Sequence, residues 1–219
     1  MAPPDAGTEG LAAYAASRGL EVVAGARLPR TTPLLAEGEL RSVDEVASGW
    51  LATYVEATLA VVTRDGGRFT VAVTHVPKAK RFVPWMLCHR AEDEHLLGDA
   101  FEQLVHAQDR VGLGSAELDA HYRIYADPER DDVWLHELFS PAFVVSLIER
   151  APSGFAFEYV GGTLCVSLLG PRTLTEELDG LRDATVELVG KLRAEIRGRL
   201  GEAKGRSAPG PPGYPPPPS

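Results

Sequence analysis

Apolar and polar positions alternate most cleanly between Phe155 and Leu168, where FAFEYV and TLCVSL flank Gly161-Gly162. A two-residue turn at the glycines sets Tyr159 opposite Leu164, Phe157 opposite Val166 and Phe155 opposite Leu168. Those six side chains make one apolar face, and Ala156, Glu158, Cys165 and Ser167 make the other. A second hairpin is predicted from Val55–Arg64 and Arg68–Val76, turning at Asp65-Gly66-Gly67. Further strands are expected at Leu20–Ala26, at Arg81–His89, and at Leu118–Tyr125, where Leu118, Ala120, Tyr122 and Ile124 share a face. Pro84 puts the Arg81–His89 strand at a sheet edge or a bulge. Glu39–Leu51 fits either a helical turn after Ser42 or a strand broken at Gly49.

Helical spacing governs the rest. Thr8 is placed to cap a helix over Glu9–Arg18 that ends at Gly19. Ala91–Ala107 carries Leu96, Leu97, Phe101, Leu104 and Val105 at helical intervals. Asp127 is placed as an N-cap before Pro128 and Glu129, and that helix carries Val133, Trp134 and Leu138. Ser140-Pro141 opens a second one with Val144, Leu147 and Ile148, which stops at Pro152-Ser153-Gly154. Thr173–Leu200 is a long amphipathic helix whose stripe is Leu174, Leu178, Leu181, Leu188, Leu192 and Ile196, with Thr185 in its one polar slot. That stripe fits a helix docked on a sheet. Its spacing also fits a homodimeric coiled coil through 173–200, although Gly180, Gly190 and Gly198 favour docking.

The expected fold class is α+β: a mostly antiparallel β-sheet with helices on one face and the long C-terminal helix across it. The expected organisation is a disordered N-terminus over 1–8, one α+β domain over 9–200, and a disordered Pro-rich tail over 201–219 that ends in APGPPGYPPPPS. Such a tail has polyproline II character and is a candidate ligand for an aromatic groove on a protein partner.

Charge narrows the function classes. The net charge is −9, which argues against nucleic acid, since phosphate binding needs a basic footprint. The window Glu92–Leu138 holds thirteen Asp or Glu against three Arg, whereas Lys191–Arg206 holds six basic residues against two acidic ones. No window is apolar for long enough to make a transmembrane segment, and MAPPDAGTEG does not have the pattern of a signal peptide. The two cysteines, Cys88 and Cys165, are far apart and without metal-site spacing. A cytoplasmic location is expected.

Candidate chemistry concentrates at Cys88, His89, Glu92, Asp93, Glu94 and His95. A thiol beside an imidazole suggests a nucleophile, yet neighbours on a strand point to opposite faces, which separates Cys88 from His89. The zinc orders HExxH and HxxEH are both missing. Asp127, Glu129, Asp131 and Asp132 look like the start of a calcium loop but lack its glycine and its final glutamate. Gly112-Leu113-Gly114 lacks the third glycine of a dinucleotide loop. No catalytic, cofactor-binding or metal-ligating residue is therefore assigned.

The stretch Tyr122–Val166 resembles a bacterial family of domains of unknown function, number 3137. The matching residues are Tyr122, Ile124, Tyr125, Asp127, Pro128, Leu138, Ser140, Pro141, Leu147, Phe155, Phe157, Gly162 and Leu164. These are cap and core positions, so the resemblance implies a fold and no active site. Many members of that family carry membrane helices near the N-terminus, which this chain lacks.

The main functional expectation is a non-enzymatic protein-interaction or scaffold module, with a homodimer through the 173–200 helix as one route to assembly. The alternatives are a small-ligand binder or enzyme with a pocket near Cys88–His95, and a peripheral partner of a membrane-associated complex.

Overall fold

In the computed structural model, eight strands form one antiparallel sheet in the order β1-β2-β3-β4-β8-β7-β5-β6. The strands are β1 (Glu21–Val22), β2 (Leu40–Ala52), β3 (Val55–Arg64), β4 (Gly67–His75), β5 (Trp85–Arg90), β6 (Tyr122–Ala126), β7 (Phe155–Val160) and β8 (Thr163–Leu169). The structure describes residues 10–25, 27–36, 40–64, 67–81, 83, 85–93, 109–127 and 133–206. The five described helices are α1 (Leu11–Arg18), α2 (Ala116–His121), α3 (Val133–Leu138), α4 (Pro141–Glu149) and α5 (Thr175–Arg206). The α+β class is as expected.

The β7–β8 hairpin has the register that the alternation predicts, with Phe155 opposite Leu168, Phe157 opposite Val166 and Tyr159 opposite Leu164. β3 and β4 pair as expected, from Ala57 opposite Thr74 to Arg64 opposite Gly67. β8 then pairs with β4, which joins the two hairpins into one sheet.

Three local expectations are corrected. β5 pairs with both β6 and β7, so it is an interior strand. It starts at Trp85, and Pro84 lies outside the described residues. Leu118 and Ala120 belong to helix α2, and only Tyr122–Ala126 is strand. The Ser115 hydroxyl accepts from Leu118 N at 3.2 Å, with Glu117 and Asp119 in the first turn, and this cap starts a helix where alternation suggested a strand. β1 is only two residues long. Between β1 and β2 the chain makes a 3-10 turn, Pro33–Leu35, whose three residues are all buried.

The ambiguous stretch before Leu51 is strand β2, with register shifts at three places. Glu45 sits in one of these irregularities with φ of 46°. Its carboxylate accepts from Leu11 N at 3.2 Å, at the start of α1. α1 thus begins at Leu11 with Gly10 at the N-cap, and an acid from β2 satisfies its first N–H; the expected Thr8 cap lies outside the described residues. Gly19 ends α1 in the left-handed conformation, as expected.

The main core lies between the helices and one face of the sheet. Phe155, Phe157, Tyr159, Leu164, Val166 and Leu168 are buried there with Tyr14, Tyr122, Trp134 and Phe143. α5 packs across β2, β4 and β8 and buries Leu178, Leu181, Leu188, Val189, Leu192 and Ile196. Thr185 is fully buried in the same stripe and donates to Leu181 O at 2.7 Å, so its hydroxyl is satisfied within the helix. The seam that a coiled-coil homodimer would use is therefore buried against the sheet. α5 continues beyond residue 200 to Arg206. Among the described residues, no helix is long and apolar enough to cross a membrane.

The expected Ala91–Ala107 helix falls largely outside the described residues, as do Pro128 to Asp132, the first eight residues and the tail from 207 on. Ser140 precedes Pro141 at the start of α4 as expected, although its hydroxyl makes no capping bond.

Candidate functional site

The face of β7–β8 that faces away from the helices is also buried. A segment before β2 crosses it and places Leu28, Leu34 and Leu35 against Val62, Phe69, Val71, Val73 and Cys165. Alternation delivers Glu158 from β7, Cys165 and Ser167 from β8, His89 from β5 and Arg64 from β3 to this covered side. Glu158, His89, Arg64 and Thr32 are each at most 3% exposed.

Glu158 is the hub. Its Oε2 accepts from Leu34 N at 2.9 Å, and its Oε1 lies 3.4 Å from His89 Nε2. Arg64 Nη1 donates to Pro33 O at 2.7 Å. The covering segment is thus fastened to the sheet at two successive residues by buried charge-capable groups. Burial pushes the Glu158 carboxyl up to about 7, against the opposing pull of the Leu34 N–H, the Thr32 hydroxyl and the Arg64 guanidinium. Burial, with Arg64 adding to it, lowers His89 to about 3 and keeps the imidazole neutral.

A titratable pair of this kind can exchange a proton, which is the first requirement of acid–base chemistry. Access for a substrate, the second requirement, is narrow among the described residues. The cavity beside His89 and Ser167 has room for about one water. Among the described residues, what the cluster does is hold the covering segment in place.

The structure separates the expected reactive residues. Cys88 lies in the main core with Phe157 and Ile124 as strand partners, and burial raises its thiol far above the ordinary range. His89 lies on the opposite face, so no Cys–His dyad forms, as strand geometry requires. Glu92 and Asp93 follow β5 in a turn, and Glu94 and His95 lie outside the described residues. Cys165 is a free, buried thiol, raised by burial and by Glu158. Among the described residues, no group of three or more His, Cys, Asp or Glu could hold a metal ion.

The larger concavities are elsewhere. One of about 370 Å³ lies between α4 and α5, around Phe143, Leu147 and Leu188. One of about 490 Å³ runs along α3 and α4, past His136, Phe139 and Val145. Two more adjoin at the end of the sheet, of about 430 and 400 Å³, and share His75 and Arg193. Basic residues and exposed aromatics meet only at this last pair among them.

The chain is similar in fold to the crystal structure of the mycobacterial trehalose monomycolate transport factor A, with a TM-score of 0.51 and 12% sequence identity. The likeness covers 85% of this chain and 92% of that one. No family model and no curated protein matches the sequence.

Proposed function

We propose that the protein is a non-enzymatic interaction module that serves as an accessory component of a membrane-associated transport assembly. The observation that carries this reading is the shared fold with a transport factor over nearly the full length of both chains. The site chemistry is consistent with it. Among the described residues, the perturbed Glu158–His89 pair is enclosed and fastens a covering segment, and both thiols are buried. A cytoplasmic location fits such a role on the inner face of a membrane.

Chemical cross-linking in native cells, on a tagged chromosomal copy, tests the reading. The expected result is recovery in the membrane fraction, cross-linked to an integral membrane transporter. Protein confined to the soluble fraction and cross-linked to no membrane protein would sink it.

A further inference from the structure

The two adjoining cavities at the end of the sheet lie where the β2–β3 turn, the end of β4, the 3-10 turn Pro77–Arg81 and α5 converge. The first is walled by His75, Lys78, Arg193 and Arg197 over a floor of Val76, Pro77 and Ile196. The second holds Trp50 and Tyr54, with Glu56 as its one acidic residue. Trp50 is 62% exposed and Tyr54 49% exposed. Arg193 is fixed between the cavities, its Nη1 donating to Tyr54 O at 2.7 Å and its guanidinium 5.2 Å from the Tyr54 ring centre. Lys80 and Arg81, in the same 3-10 turn, are two more exposed cations.

The chain as a whole carries a net charge of −9, so this corner reverses the sign of the molecule. We propose that it is a docking surface for an anionic phospholipid membrane. The cations of the first cavity receive a phosphate headgroup, and Trp50 and Tyr54 rest at the level of the interface. The apolar floor beneath the cations suits an amphiphile, whereas an acidic peptide would recruit the charges and leave the floor unused. Trp and Tyr flanked by Lys and Arg are the side chains that settle at a membrane–water interface. The inference rests on the membrane-associated role proposed above and supplies its physical contact.

Co-sedimentation of the full chain with phosphatidylcholine vesicles, with and without phosphatidylglycerol, tests the surface. Binding is expected only when phosphatidylglycerol is present, with a blue shift of Trp50 fluorescence that Trp50→Phe removes. The triple variant Lys78→Gln/Arg193→Gln/Arg197→Gln is expected to bind on the order of a hundredfold more weakly, at roughly fivefold per basic residue. Because Arg193 also holds the Tyr54 turn, the double variant Lys78→Gln/Arg197→Gln is measured alongside, with an expected loss of about twentyfold to thirtyfold. Absence of binding to phosphatidylglycerol vesicles, or wild-type binding by both variants, would overturn the surface. So would binding of polyglutamate in place of vesicles. Cross-linking to a transporter without vesicle binding would overturn this surface alone and leave the accessory role standing.

Discussion

The Tyr14 hydroxyl donates to the Asp179 carboxylate at 2.9 Å across 165 residues of sequence. It ties α1 to the first turns of α5. Arg18 also bonds Asp179, and Arg182 Nη1 lies 2.9 Å from it, so one carboxylate gathers three partners. Burial, then the bond to Asp179, pushes the Tyr14 phenol up to about 12.

Tyr14→Phe is expected to cost about 1.5–3 kcal/mol, the worth of a hydrogen bond to a charged group. In a double-mutant cycle, Asp179→Asn should cost less in the Tyr14→Phe background than alone. Because the folded phenol titrates above its unfolded value of 10, its contribution is full below pH 10 and lost as pH rises through about 12. Urea melts of the four proteins, with absorbance titration of the phenol, check both statements.

Glu158 and His89 titrate in opposed senses. Glu158 rises from 4.5 to about 7, so its contribution to stability is full below pH 4.5 and lost as pH rises through 7. His89 falls from 6.5 to about 3, so its contribution is full above pH 6.5 and lost as pH falls through 3. Between pH 4.5 and 6.5 the two slopes oppose each other. Thermal melts should therefore vary little there for the wild type. His89→Gln should melt progressively lower from pH 4.5 to 7, and Glu158→Gln progressively higher from pH 3 to 6.5. Parallel curves for all three proteins would refute the assignment.

Leu188 is 1% exposed beneath α5, and Leu174 is 47% exposed just before it. Leu188→Ala is expected to cost about 2–5 kcal/mol, and Leu174→Ala less than about 0.5 kcal/mol. The same melts at two protein concentrations check the docking of α5, since a seam between two copies would make the midpoint concentration-dependent.

Gly154 has φ of 72°, and a Cβ there would stand 2.6 Å from Leu169 Cβ and 2.9 Å from Leu169 N. Gly161 has φ of 60° with nothing within 4 Å. Gly154→Ala is thus expected to cost more than about 2 kcal/mol, while Gly161→Asn costs under about 1 kcal/mol, since Asn tolerates the left-handed region. Denaturant midpoints compare the two directly.

The hairpins were legible because alternation and turn chemistry agreed at every position, from Phe155–Leu168 to Tyr159–Leu164. At α2 the same signal misleads: Leu118, Ala120, Tyr122 and Ile124 keep a period of two across a helix–strand junction, while the Ser115 cap and its acids start a helix. The buried polar cluster was half legible. Glu158 sat on the second face of the hairpin beside only Ala156, Cys165 and Ser167, and a face of small residues with no Lys or Arg signals a covered side. Its partners Arg64, His89 and Thr32 come from three distant parts of the chain, and no local pattern links them. The basic corner is equally non-local, since Trp50, His75, Lys78 and Arg193 meet only through the sheet.

The strand order has a consequence for synthesis on the ribosome. β1 to β4 emerge as a contiguous meander, but the partner of β4 is β8, which is made only after β5, β6 and β7. The β4 edge, with Val71 and Val73 among its residues, thus stays open through much of translation. Asp179 lies later still, so the clamp on α1 closes only after β8 has left the tunnel. The nascent meander is a ready substrate for a holding chaperone, and native closure falls to the last third of the chain.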